Sequence, residues 1–310
     1  MTPQQSSDQP TQQRSHEVIG IDVGGTAVKL GRFNQQGQCL AQTRIATPQP
    51  AFPQDVVAQI AAALPTINSD GTATAIGIGT PGPSDKFGRI ARIAINLEGW
   101  IDVPLADMME AETNRPTLVA NDANCAGVGE AWLGAGQSYE NFILLTLGTG
   151  VGGAIILNRE LFIGPRGTAG ELGLITFNPD GPPCNSGNSG SLEQFASARA
   201  IQRQTGKSPK ELAEAADRGE ADAIAFWQTY GHTLGAGLAS LTYVLSPEAI
   251  LLGGGVAASF DRFYPSLKEE LFQRVLSCSR AGLVIRPATL GNQAGMIGAA
   301  KLALDKFGAR

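Results

Sequence analysis

Two glycine turns in this 310-residue chain have the composition of an anion-binding nest. Gly24-Gly25-Thr26 separates two apolar runs, Val18 to Val23 and Ala27 to Phe33. Gly148-Thr149-Gly150, continued by Val151-Gly152-Gly153, separates Phe142 to Leu147 from Ala154 to Leu157. Such turns expose backbone N–H groups and lack the side chains that would hold an anion away. One alone is equally what a hairpin needing positive φ contains. Two in corresponding positions, about 125 residues apart, favour a phosphate clamped between two lobes. Asp22 stands two residues before Gly24. A carboxylate ending a buried strand beside a phosphate nest is repulsive unless a cation lies between. Mg²⁺, held through few carboxylates and several waters, suits that place. A turn-capping aspartate is the plain alternative.

Three more segments carry polar chemistry. The run Thr117 to Ala120 reads as a strand that delivers Asn121 and Asp122 to its C-terminal end, where open α/β sheets bind ligands. A carboxylate there could accept the proton of an attacking hydroxyl while Asn121 holds a neighbouring one. Asp122 could instead be an N-cap, because an Ala/Gly-rich helix follows. Glu171, within Gly170-Glu171-Leu172-Gly173, and Glu193, in Ser191-Leu192-Glu193, suit recognition of vicinal hydroxyls. A solvated Glu and a first-turn Glu favoured by the helix dipole would look the same.

The elements that position these residues follow from hydrophobic periodicity. Residues 1–16 are too polar to bury anything and read as a solvated tail. Two strands flank the first turn, and a third near Cys39 to Ile45 completes a meander. Pro53 opens a helix with apolar Val56, Val57, Ile60, Ala61 and Leu64. Ala75 to Gly79 is a buried strand. The second strand–turn–strand unit repeats the first, so the chain reads as two similar α/β lobes facing a cleft. Helices are expected over Leu192 to Arg203, Ala221 to Leu245 and Ala294 to Lys306, with strands at Ala249 to Leu252 and Leu283 to Arg286. Gly253-Gly254-Gly255 ends the first of those strands.

Composition narrows the function. Charged residues are only 16% of the chain, the formal net charge is −5 and the pI is near 5.2. That balance excludes the basic footprint of a nucleic-acid binder. No apolar run reaches the ~18 residues of a membrane span, and the N-terminus lacks the apolar stretch of a secretory signal. Four cysteines, at 39, 125, 184 and 278, have no paired spacing, so reduced thiols and a cytoplasmic location are expected.

In order and spacing, several motifs resemble the ROK family of sugar kinases (repressor, open reading frame, kinase), whose fold is the actin-like ATPase (ribonuclease H-like) α/β fold with two lobes and a central cleft. They are Asp22 to Thr26, Gly77 to Gly82, Asn96-Leu97 with Trp100, Asn121 to Asn124, Leu147 to Gly153, Gly170 to Gly173, Gly187 to Glu193, and Gly253 to Val256. The resemblance implies lobes of 17–120 and 121–292, with a C-terminal helix in 293–310 joining the smaller lobe. It implies that Asp22, Gly24, Gly25, Thr26, Gly148, Thr149 and Gly150 cradle ATP phosphates and Mg²⁺, and that Gly253, Gly254 and Gly255 lie near the adenosine. Asn96, Asn121, Asp122, Glu171 and Glu193 would bind the sugar, with Asp122 as general base. The product would be a hexose 6-phosphate, glucose first, from a homodimer or homotetramer.

Three departures qualify the resemblance. The family's zinc loop, with one His and three Cys, has Leu174, Cys184, Ser186 and Ser191 at those positions. One thiolate and no imidazole cannot make a four-ligand site, so no structural zinc is expected. Leu174 also replaces a His that touches the sugar. The Lys that usually follows Gly-Gly-Thr is Ala27, with Lys29 two residues on, a pattern shared with polyphosphate-using glucokinases. Polyphosphate as donor and N-acetylglucosamine or N-acetylmannosamine as acceptor therefore stay open. A regulator of the same family would carry a DNA-reading domain, for which the polar residues before Val18 leave no room. A non-catalytic sugar sensor would have no need of a base such as Asp122.

Overall fold

A computed structural model describes residues 16–94 and 97–308. Apart from His16, the polar tail lies outside the described residues, as does Asn96.

The first sheet contains β1 (Glu17–Val23), β2 (Ala27–Phe33), β3 (Cys39–Ala46), β4 (Ala73–Thr80) and β7 (Thr117–Asn121), in the order β3-β2-β1-β4-β7. β1, β2 and β3 form an antiparallel meander, while β4 and β7 run parallel to β1. A small hairpin of β5 (Ala91–Ile93) and β6 (Ile101–Val103) interrupts the crossover to β7. The second sheet repeats the plan with β8 (Phe142–Leu147), β9 (Val151–Leu157), β10 (Glu160–Leu161), β11 (Ala249–Gly253) and β12 (Val284–Pro287), in the order β10-β9-β8-β11-β12. The internal echo in the sequence is thus a repeat of topology.

Helices cover both faces of each sheet. They are α1 (Pro53–Ala63), α2 (Leu105–Thr113), α3 (Asp122–Leu133), α4 (Glu193–Ala196), α5 (Ala198–Thr205), α6 (Pro209–Asp217), α7 (Ala221–Leu245), α8 (Phe260–Arg274), α9 (Ser277–Arg280) and α10 (Ala294–Phe307). Strand alternation sends Ile19, Ile21 and Val23 of β1 against Val56 and Ile60 of α1 and Met109 of α2. The opposite face packs Val18 and Ala75 on Met296 and Ala300 of α10. In the second sheet Ile143 and Leu145 meet Trp227 of α7 and Phe263 of α8, while Leu144 meets Ala126 and Val128 of α3. Helices α10 and α3 therefore lie back to back between the two sheets.

Their approach depends on missing side chains. A Cβ at Gly20 would lie 2.1 Å from the Met296 oxygen, and one at Gly298 would lie 1.6 Å from the Cys125 oxygen. Helix α10 can rest on β1, and α3 on α10, only because these positions are glycine.

Two expectations are corrected in detail. The helix expected over Leu192 to Arg203 is split at Ser197, whose backbone is extended (φ −79°, ψ 161°) and whose hydroxyl accepts the Ala200 N–H, capping α5. Helices α2, α6, α8 and α9 are additional to the expected elements. Helix α6 announces itself by a Ser208–Glu211 capping box with Pro209 at its start.

Candidate active site

The C-terminal ends of β1, β7, β8 and β11 carry Asp22, Asn121-Asp122, the Gly148 turn and Gly253, respectively. Asp122 is the first residue of α3, but it does not cap the helix. Asn121 does, its Oδ1 accepting the Asn124 N–H at 2.9 Å while its Nδ2 donates to the Gly82 carbonyl at 3.1 Å. This side chain is largely committed to the fold, and one amide hydrogen is left for a ligand. With the cap supplied by its neighbour, the half-buried Asp122 carboxylate is released from that duty. Its Oδ1 accepts the Ala123 N–H at 2.7 Å. Burial foremost, then the charge of Asp22, raise its pKa from 3.8 to about 7; Glu171 adds to the rise and the Ala123 N–H opposes it. The structure thus brings Asp22, Asp122 and Glu171 within electrostatic reach of one another.

Asp22 does have a cation beside it, and the cation is a side chain. Lys29, opposite Asp22 in the β1–β2 ladder, places Nζ 2.9 Å from Asp22 Oδ2 and donates to the Asn292 carbonyl, also at 2.9 Å. The N-terminus of α10 closes on the same carboxylate, since a Cβ at Gly295 would lie 3.2 Å from it. Among the described residues no group of three or more His, Cys, Asp or Glu could hold a metal ion. A single carboxylate nevertheless fits Mg²⁺, which is commonly bound by one or two carboxylates with waters and substrate phosphates. Next to it, the Gly24–Thr26 turn is closed by the Gly24 N–H on the Ala27 oxygen and tied to Thr47, whose hydroxyl donates to the Gly24 oxygen at 2.6 Å. Space around Gly25 is open, with no atom within 4 Å of a Cβ placed there.

The second turn is tied to one of the candidate sugar residues. Glu193 opens α4, and its Oε2 accepts the Val151 N–H at 3.0 Å. A Cβ at Gly150 would lie 2.3 Å from that oxygen. Glu193 is therefore held by the Gly148–Gly150 turn rather than standing as a solvated first-turn residue. Burial first, then the Glu193 charge, raise the Glu171 pKa, so the two glutamates share one environment.

The loop between them does not suit zinc. At the four positions in question stand Leu174, Cys184, Ser186 and Ser191, and the Ser186 hydroxyl donates directly to Cys184 Sγ at 3.3 Å. Asn188 cross-links the loop instead: its Nδ2 donates to the Leu174 oxygen at 3.0 Å and to Thr176 Oγ1 at 3.1 Å, while its carbonyl accepts the Cys184 N–H. Hydrogen bonds of this kind can shape a loop without metal.

At the end of β11, Gly254 has φ +85°, and a Cβ there would lie 2.5 Å from the Leu147 oxygen. Only glycine lets this turn abut the end of β8. Above it opens a cavity of about 340 Å³ whose walls include Leu144, Leu252, Gly253, Gly254, Ala257 and Pro287, a size and apolar lining suited to a flat ring system. Glu130, fully buried, also reaches this cavity. Sequence reasoning missed it, although a lone Glu within the small-residue run Gly127-Val128-Gly129-Glu130-Ala131 is a signal of a buried carboxylate.

Residues 18–306 match the ROK family model. The chain is 36% identical to a glucokinase of Halalkalibacterium halodurans, over 90% of this chain and 92% of that one. Among solved structures, a ROK hexokinase from Thermus thermophilus superposes with a TM-score of 0.82 at 32% identity, covering 95% of this chain and 100% of that one. A ROK family glucokinase from Streptomyces griseus, solved in complex with glucose and AMPPNP, gives 0.81 at 34% identity, covering 93% and 99%. By sequence and by fold, this chain belongs to the ROK family and is a sugar kinase with the actin-like ATPase fold.

Proposed function

We propose that the chain transfers the γ-phosphoryl group of ATP to the 6-hydroxyl of a hexose, with glucose the first candidate. The observation that carries the reading is the Asp122 carboxylate, set at the end of β7 near Asp22 and Glu171 and pushed up to about 7. A general base works best when its pKa lies near the operating pH. Asp122 accepts the hydroxyl proton as the O–P bond forms. Asn121, Glu171 and Glu193 hold the other hydroxyls, and Asn96 belongs to the same set. N–H groups of the Gly24–Thr26 and Gly148–Gly150 turns meet the phosphates, and Gly253 to Gly255 border the adenosine. Asp22 would hold Mg²⁺, which when bound spreads the negative charge of the transferring group. The lobes we assign are 17–120 with 293–310, and 121–292, so closure brings Asp22 and Asp122 toward the Gly148 turn and excludes water. The reading also keeps the enzyme in the cytoplasm as a homodimer or homotetramer; among the described residues no helix is long and apolar enough to cross a membrane.

Polyphosphate is the second reading for the donor, favoured by the Lys29 ammonium fixed beside Asp22. Steady-state phosphorylation with Mg-ATP and with polyphosphate, on glucose, mannose, fructose, N-acetylglucosamine and N-acetylmannosamine, tests both. ATP-dependent turnover of glucose, lost in Asp122→Asn, is the expected result. Turnover with polyphosphate alone moves the donor assignment. Silence on every pair, with sugar binding intact by calorimetry, leaves a sensor in place of an enzyme.

A further inference from the structure

Glu130 is a buried charge for which phosphoryl transfer has no use. It stands in the last turn of α3 with no exposed surface and, among the described residues, no ion-pair partner. Its carboxylate is satisfied by donors from two segments. The Ala135 N–H reaches Oε2 at 2.7 Å, in the turn that ends α3. From the turn between β12 and α10, the Thr289 and Leu290 N–H groups reach Oε1 at 3.0 and 2.8 Å, and the Thr289 hydroxyl reaches Oε2 at 3.3 Å. A carboxylate taken out of water without a counter-ion is costly, and only a dense set of donors offsets that cost. Such a group holds its donors in place as firmly as they hold it.

What it holds is the wall of the 340 Å³ cavity. Glu130 lines that cavity together with Gly291 and Ala294, the residues that follow Leu290 into α10. The other end of Glu130's own helix is Asp122, eight residues earlier, or about 12 Å along an α-helix. One rigid rod therefore has the candidate base at its N-terminus and a cavity wall anchored to its C-terminal turn.

We infer that Glu130 is a positioning residue that locks the 289–294 wall of the nucleoside cavity to the helix bearing Asp122, coupling nucleotide occupancy to the sugar side of the cleft. The inference rests on the reading of this cavity as the nucleotide pocket. In Glu130→Gln one acceptor becomes an NH2 group facing N–H donors, with volume unchanged. Calorimetry on the full chain should show AMP-PNP affinity falling at least tenfold and glucose affinity without nucleotide staying within twofold. Any gain in glucose affinity that AMP-PNP confers on the wild type should disappear in the variant. Gly134→Ala is the second variant, because its Cβ would lie 2.1 Å from Glu130 Oε2 and displace the carboxylate without removing it. It should move the same quantities in the same direction should Glu130→Gln fail to fold. A folded variant that binds AMP-PNP as the wild type does overturns the inference and spares the nucleotide reading. Equal loss of AMP-PNP and free glucose binding also overturns it, reducing Glu130 to a general structural role. A wild type that binds glucose but not AMP-PNP removes the nucleotide reading, and the inference with it.

Discussion

Replacing Asp122 by Asn should nearly abolish turnover and at the same time stabilise the fold, by an amount that depends on pH. The folded protein holds the Asp122 proton far more tightly than the unfolded chain does, with a pKa of about 7 in place of 3.8. Below about pH 3.8 both states are protonated and the residue costs nothing. Between about 3.8 and 7 the unfolded chain releases its proton while the fold keeps it, so stability falls as pH rises. Above about 7 the full penalty applies. At about 1.36 kcal/mol per pH unit that interval is worth at most about 4 kcal/mol; allowing for the water that still reaches this partly buried residue leaves about 2 kcal/mol. Asparagine is isosteric, keeps an acceptor for the Ala123 N–H and carries no charge. Thermal melts at pH 8 should therefore place the variant about 3 °C above the wild type, and the gap should close toward pH 4. Glucose phosphorylation should drop by about 10²–10⁴-fold, and wild-type kcat/KM should fall about tenfold per unit below pH 7. A variant that melts below the wild type at pH 8, a gap indifferent to pH, or turnover within a few-fold of normal would refute the assignment.

Two further outcomes follow from close contacts. Gly150→Ala places a methyl group 2.3 Å from Glu193 Oε2, so Glu193 must leave the Val151 N–H; sugar KM should rise about tenfold or more, a loss of about 1.4 kcal/mol, and nucleotide KM should rise as well because Gly150 belongs to the proposed phosphate turn. Prolonged chelation followed by Mg²⁺ replacement should leave the melting temperature and sugar KM unchanged, because the loop carrying Cys184 is cross-linked by Asn188. A tightly bound zinc near one per chain, measured by plasma emission, would contradict that account.

Much of the candidate site was legible in the linear sequence because its chemistry is local. A glycine turn between two strands exposes N–H groups wherever the strands lie, and a carboxylate at a strand's end stays at that end. So Asp22, Asp122 and the two turns could be singled out, and the repeated strand–turn–strand unit foretold the repeated sheet. What pairs with those groups is non-local and could not be read. Lys29 supplies the cation beside Asp22 through a cross-strand register. Asn121, not Asp122, caps α3 because of the backbone angle at the strand–helix junction. Glu193 is gripped by a turn 42 residues away in sequence, and Glu130 by one 159 residues away.

The sequence by itself determined which residues bear charge, where the backbone must bend, and that two α/β units are present, since these depend on residue type and short-range periodicity. Only the tertiary structure decided how those charges act on one another. Asp122 acquires a pKa near 7 because packing removes water from it and folds Asp22 and Glu171 toward it. Desolvation and Coulomb interaction depend on distance and burial in space, and neither is written in the order of residues along the chain.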